Sequence, residues 1–261
     1  MISKVIVIKG KDPFQMIKKG LDFFEKPCEK KIVIKPNLII DKPSPTTTPY
    51  ETIEALTKYY LENGYEVIIA EGSGWSDTFQ AYKKLGYFKI AEKYGVKLID
   101  LNNDNFEILE DKKALFLKKF ELPLTLKNSF VISVPILKEH SITGVTLSLK
   151  NMLGATLGEK ARIAKKGRFH KKLDESIVDI NSYIKPKLAI IDGRIAGIGG
   201  ELGAIPKELN VMIFSNDLVA ADAIGASYLG KNPLNIKHLK LAQEIGLGIA
   251  ELDRIEIVKI E

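Results

Sequence analysis

One cysteine, one tryptophan, three histidines and four methionines are all that this chain of 261 residues holds of those types. A single cysteine, Cys28, cannot close an intrachain disulfide. It cannot supply the thiolate set of a structural zinc or an iron–sulfur cluster either, so no iron–sulfur cluster is expected. The three histidines, His140, His170 and His238, lack the paired spacing of a metalloprotease helix. Long hydrophobic runs are missing too: no stretch approaches the roughly 18 apolar residues of a membrane span, and MISKVIVIKGK at the start is far shorter in its apolar part than a secretory core. These absences lead us to expect a cytoplasmic protein with no membrane partner.

What is present reads as a folded globular chain. With 45% apolar and 28% charged residues it has enough apolar surface to offset chain entropy, and its length suits one large domain, residues 1–261. The net charge of +6 is local. Residues 159–172, EKARIAKKGRFHKK, hold seven Lys/Arg and one acid, and the remainder of the chain has 32 of each sign. Within the wider segment 155–172 this reads as a basic loop or lid closing on an anion, or as a docking strip for an acidic partner or phosphate backbone. Its single aromatic, Phe169, argues against a stacking platform and so against nucleic acid.

Short β-branched runs, KVIVIKG, KIVIKPN, YEVIIAEGSG, VKLID, FVISVPILKEH, LAIIDG and NVMIFSND, predict strands. Helical spacing separates several of them. Phe14, Ile17, Leu21 and Phe24 follow an Asp12-Pro13 start, and Thr48, Pro49 and Glu51 read as an N-cap, an N1 proline and a capping-box acid. The alternation predicts an α/β fold, a largely parallel sheet with helices on both faces. Residues 106–126 are expected to add a small antiparallel hairpin.

In such sheets ligands gather at the carboxyl ends of the strands. Lys35 and Asn37, Glu71 and Ser73, Lys138 and His140, Asp192, and Asn216 with Asp217 all follow strand candidates and are expected to share one site. From Val145 the chain alternates, so Thr146, Ser148 and Lys150 would line one strand face, followed by Asn151: donors suited to phosphate or carboxylate. A strand whose polar face is merely wetted is the alternative. Beside Lys138, His140 is expected to stay neutral and serve as a general base or bind a metal, or to be a hydrogen-bonded structural histidine. His170, in the basic strip, reads as a second acid/base, a lid residue or an exposed one, and His238 reads as helix surface. A divalent cation held by Glu71, Asp192, Asp217 or Asp222 is a further expectation, Asp222 being the metal candidate because a buried acid one turn inside a helix needs a partner. EGSGW and GIGGELG lack the register of nucleotide-binding loops and read as tight turns.

Taken together, KPNL (35–38), TTP (47–49), EG (71–72), VPILKEH (134–140), TLSLKNMLG (146–154), DG (192–193) and ND…AAD (216–222) resemble the prokaryotic family catalogued as domain of unknown function 362. The likeness covers nearly the whole chain and implies a common α/β fold with a shared site. The family's lysine–histidine element usually has Thr between the two and here has Glu139. The cysteine motifs many relatives carry are absent, which argues against a ferredoxin-like electron-transfer role. Two functions stand as expectations. One is an enzyme for a small anionic metabolite, with Lys35, Lys138 and Lys150 as anion holders, His140 moving a proton and Asp192 or Asp222 orienting it or holding a cation. The other is a non-catalytic module docking its partner through the strip.

Overall fold

A computed structural model describes residues 2–261. In chain order the elements are β1 (Ser3–Lys9), α1 (Pro13–Leu21), β2 (Lys31–Pro36), α2 (Tyr50–Glu62), β3 (Glu66–Glu71), α3 (Thr78–Lys84), α4 (Tyr87–Tyr94), β4 (Lys97–Asp100), β5 (Phe106–Glu110) and β6 (Lys119–Pro123). There follow β7 (Phe130–Val134), β8 (Ile136–His140), β9 (Gly144–Thr146), α5 (Ser148–Asn151), α6 (Leu173–Ile184), β10 (Leu188–Ile198), β11 (Ile205–Ser215), α7 (Leu218–Tyr228), α8 (Lys237–Glu244) and β12 (Ile255–Ile260).

The main sheet runs β12-β1-β11-β10-β7-β2-β3-β4. Every neighbouring pair on that path is parallel except the two made by β11, which opposes both β1 and β10. The fold is therefore α/β with a mixed, largely parallel sheet, as the alternation predicts. β5 and β6 form the separate antiparallel pair expected after residue 106. Strand interiors are apolar on both faces because helices cover both. Val5, Val33, Val131, Ala189 and Ile191 point into the core packed by α6 and α7; Ile6, Ile34, Ile132, Leu188 and Ile190 point into the core packed by α1 and α2.

Two local departures matter for the site. Pro135 has no N–H and splits the expected strand 130–140, but its carbonyl accepts from Asp192 N at 2.9 Å, so β7 and β8 both track along β10. The N-cap of α2 is Pro49, one residue later than expected, because the Thr48 hydroxyl is occupied elsewhere: it donates to Val134 O at 2.7 Å and accepts from Asn37 N at 2.9 Å. Thr48 thus stitches the end of β2 to the end of β7.

Candidate functional site

At the carboxyl ends of β2, β3 and β8 lies a cavity of about 380 Å³. Its floor is built by the strand tips. Lys35 Nζ donates to Glu71 Oε2 at 2.8 Å, Pro36 O at 2.7 Å and Asn151 Oδ1 at 3.0 Å, forming a fully buried ion pair. Burial pulls the Lys35 ammonium below the ordinary lysine range, while the charge and hydrogen bond of Glu71 oppose that pull. Asn151 closes the network, its amide donating to Lys35 O and Ser133 Oγ. Gly154 must be glycine here, since a Cβ would overlap the Glu71 carboxylate and the Lys35 ammonium. Asn37 lies beside them, and its Oδ1 is buried without a partner.

Three further lysines line the same cavity: Lys138, Lys150 and Lys166. Lys138 donates to Thr46 O at 2.6 Å and Glu201 O at 3.3 Å, and Lys166 donates to Thr156 O at 2.5 Å. Neither meets a carboxylate. Burial, with the Lys150 charge beside it, lowers Lys138 to about 7; burial lowers Lys166 to about 7 and Lys150 to about 8. Alone of the four, Lys150 makes no protein hydrogen bond among the described residues, so its amine is open to the cavity. Thr146 also lines the wall, with a buried hydroxyl that has no partner.

His140 faces this cluster. The backbone N–H groups of Ile142 and Thr143 donate to its Nδ1 at 3.1 and 3.2 Å. An Nδ1 that accepts twice carries no proton, so the neutral ring is the Nε2–H form. Burial and the Lys150 charge lower its pKa to about 3, which keeps it neutral. The expected general base is therefore corrected: His140 presents a donor at Nε2, whose nearest carboxylate is Glu201 at 3.9 Å. Partial burial acts to raise Glu201, but donors from Ser141 and its own backbone, and the His140 ring, bring it down to about 2. His170 lies at the exposed side of the pocket, its pKa lowered by burial and by Lys150.

Other expected site residues sit elsewhere. Asp192 is not at the rim, because β10 runs on to Ile198. It alternates with Leu188 and Ile190 and so faces α2, where it pairs with Arg194 at 2.9 Å and accepts from Thr52. It lines a separate cavity with Arg194, Lys11 and Glu208. Asp217 caps α7 at Ala220 N and also accepts from Ser3 and Ile249 N. Both oxygens of Asp222 accept backbone N–H groups of α5, Ser148 at 2.7 Å and Leu149 at 2.9 Å. The metal role expected for Asp222 is thus corrected to a cap supplied from another helix, although burial pushes its carboxyl up to about 7. Among the described residues no three His, Cys, Asp or Glu side chains gather as a metal ion would need.

The expected strand face of Thr146, Ser148 and Lys150 is also corrected. β9 stops at Thr146 and a one-turn helix begins at Ser148, whose hydroxyl is buried away from the cavity. Ser73 lies behind the wall, donating to Leu38 O at 2.6 Å. His238 is buried, not on the surface, and pairs with Asp174 at 3.1 Å. Glu139 points outward, to Gly199 N and Lys231.

Sequence reasoning did not single out Lys166 or Glu201. Lys166 was one of seven cations in the strip, and the nearby Phe169, buried in the core, is the signal that part of that strip folds inward. Glu201 is the one acid in the glycine-rich turn between β10 and β11. The apolar walls, Ile39, Trp75, Ile142, Leu153 and Leu202, were not expected either; Trp75 and Ile142 remain 41% and 69% exposed at the mouth.

Among the described residues no helix is long and apolar enough to cross a membrane. The thylakoid-associated protein sll1697 of Synechocystis sp. (strain ATCC 27184 / PCC 6803 / Kazusa) is 23% identical over 234 residues, which span 87% of this chain and 71% of that protein. A model of the family described as domain of unknown function (DUF362) matches residues 32–227, well over half of the chain and all of the strands that form the cavity floor, so the chain belongs to the DUF362 family.

Proposed function

We propose that the protein is an enzyme acting on a small anionic metabolite, bearing phosphate or carboxylate, in the cavity at the ends of β2, β3 and β8. The observation that carries this reading is the set of three lysines lining the cavity, the buried Lys138 and Lys166 and the half-buried Lys150, none paired with a carboxylate among the described residues. Desolvated cations without a paired carboxylate are costly, and an anion in the cavity relieves that cost by hydrogen-bonding them. Lys35 is already neutralised by Glu71, so its role is to hold the floor rigid.

The chemistry follows from the donors. Lys138, Lys150 and Lys166 bind the anionic group, and Thr146 adds a hydroxyl. The neutral Nε2–H of His140 donates to an oxygen on which negative charge develops, without being so acidic that it loses its proton first. Neutral imidazole used as an electrophile has a worked precedent in triosephosphate isomerase. The apolar walls suit a carbon skeleton beside the anion.

The basic strip serves this site as its closing wall. Lys165 N donates to Gly74 O, its Nζ donates to Ser76 O, and Phe169 anchors the segment in the core. These contacts favour a wall over a docking strip for an acidic protein or nucleic acid, because they turn part of the strip inward. Thermal shift with inorganic phosphate, pyrophosphate and simple carboxylates tests the reading. A saturable stabilisation that Lys138→Met removes is the expected result, and no shift with any of them refutes it.

A further inference from the structure

Lys35 donates to three protein acceptors, Lys138 to two and Lys166 to one; Lys150 donates to none among the described residues. Its position is nevertheless fixed. It sits on the one-turn helix α5, whose N-terminus is held by Asp222, whose Ser148 and Leu149 carbonyls accept from Ser133 Oγ and Asn181 Nδ2 at 2.9 Å, and whose last residue, Asn151, is tied to Lys35. A rigid backbone therefore presents an unengaged amine to a cavity with apolar walls, next to a second lysine. Desolvation favours the free base there more than Glu201 and Asp174 favour the ammonium, and a lysine desolvated in an apolar pocket is one way proteins make an amine nucleophilic.

We propose that Lys150 forms an imine with a carbonyl-bearing anion, an aldehyde or ketone carrying phosphate or carboxylate, bound by Lys138 and Lys166. The proposal rests on the anion-binding reading of the cavity and adds a covalent step to it. The Lys150 nitrogen forms a bond to the carbonyl carbon, the C–O bond breaks, and both amine hydrogens leave with the oxygen as water. Nε2–H of His140 and the ammonium of Lys138 line the same cavity and are the donors available to that oxygen. The imine nitrogen, once protonated, withdraws electrons from the adjacent carbon, so the reaction class is proton abstraction, decarboxylation or carbon–carbon cleavage next to a carbonyl. With its pKa near 8 instead of 10.5, Lys150 has about two orders of magnitude more free amine at pH 7 than an ordinary lysine.

The test uses the full chain with pyridoxal 5′-phosphate, as a phosphate-bearing aldehyde, and with glyoxylate, as a carboxylate-bearing one, each trapped by cyanoborohydride and mapped by peptide mass spectrometry. The expected result is one adduct per chain, at Lys150, formed at least about tenfold faster than at exposed lysines such as Lys160 and Lys171. Inorganic phosphate should slow it and Lys150→Arg should abolish it. Labelling spread evenly over the surface, or undiminished in Lys150→Arg, overturns the proposal. The two readings fail separately: phosphate that stabilises a protein giving no adduct refutes the imine alone, whereas a Lys150 adduct without any anion-induced stabilisation, and insensitive to phosphate, refutes the anion reading alone.

Discussion

Replacing Lys150 by methionine should make the ligand-free protein more stable. Lys150 titrates near 10.5 in the unfolded chain and near 8 in the fold. At pH 7 the fold must carry an ammonium it disfavours, and linkage makes that cost about 3 kcal/mol. The cavity leaves one side of the amine open to water, which screens part of it, so we expect a gain of about 1–3 kcal/mol in Lys150→Met. No hydrogen bond is forfeited, and methionine matches the length of the apolar stem. The sign of the pH dependence is fixed. Between pH 8 and 10.5 the unfolded chain holds a proton that the fold has released, so the wild type gains stability as pH rises. The advantage of the variant shrinks correspondingly, to about 1 kcal/mol or less at pH 10. Thermal unfolding of both proteins in phosphate-free buffer measures this, with about 2–4 °C expected per kcal/mol. A lower Tm for the variant at pH 7, or an advantage as large at pH 10 as at pH 7, refutes the premise that desolvation of this ammonium outweighs the attraction of Glu201 and Asp174.

Phosphate affinity should fall as pH rises from 7 to 9, because anions bind the ammonium forms of Lys138, Lys150 and Lys166, whose free-state values lie at about 7, 8 and 7; calorimetry in two buffers at pH 8 should register proton uptake, and its absence contradicts the lowered values. ¹⁵N spectra should show His140 neutral with the proton on Nε2 from pH 5 to 9, so an imidazolium at pH 6 rules out its assigned donor role. Asp192→Asn should destabilise the fold by about 1–3 kcal/mol, by leaving Arg194 short of its partner, and leave phosphate affinity unchanged; a weakened affinity with an intact fold would return Asp192 to the site.

How far the sequence discloses this architecture depends on whether a residue's surroundings are local. β-branched runs bounded by glycine or polar residues locate the central strands because β1, β2, β3 and β7 are apolar on both faces, and Asp12 and Asp217 are legible as caps because a cap contacts its own helix. Lys35, Glu71 and His140 are legible because parallel strands end at one rim. Asp192 misleads because the Asp-Gly pair mimics a strand end, whereas antiparallel pairing with β11 carries β10 six residues further. The stretch after Val145 misleads for a related reason. Its alternation is genuine as far as Thr146, but Leu147 is a poor N-cap and the helix exists because Asp222, 74 residues away, satisfies its first N–H groups.

That long-range cap bears on function. Were residues 145–150 to continue as a strand, Ser148 and Lys150 would project to the same side as Thr146, and three donors would form a flat polar strip. The turn of helix instead withdraws Ser148 and brings Lys150 into the cavity with Lys138, where desolvation works against its proton more than Glu201 and Asp174 favour it. The Asp222 carboxylate therefore acts on the site without touching it. Asp222→Asn keeps the shape and one acceptor but leaves Ser148 N or Leu149 N facing an amide NH₂, so the turn should loosen. The readout is the pKa of Lys150, followed by the pH dependence of its alkylation: relaxation of the turn gives the amine more water, and the midpoint should move up from about 8 toward 10.5. An unchanged midpoint in a folded Asp222→Asn protein means that α5 holds its place without the carboxylate, and the coupling between α7 and the cavity is then absent.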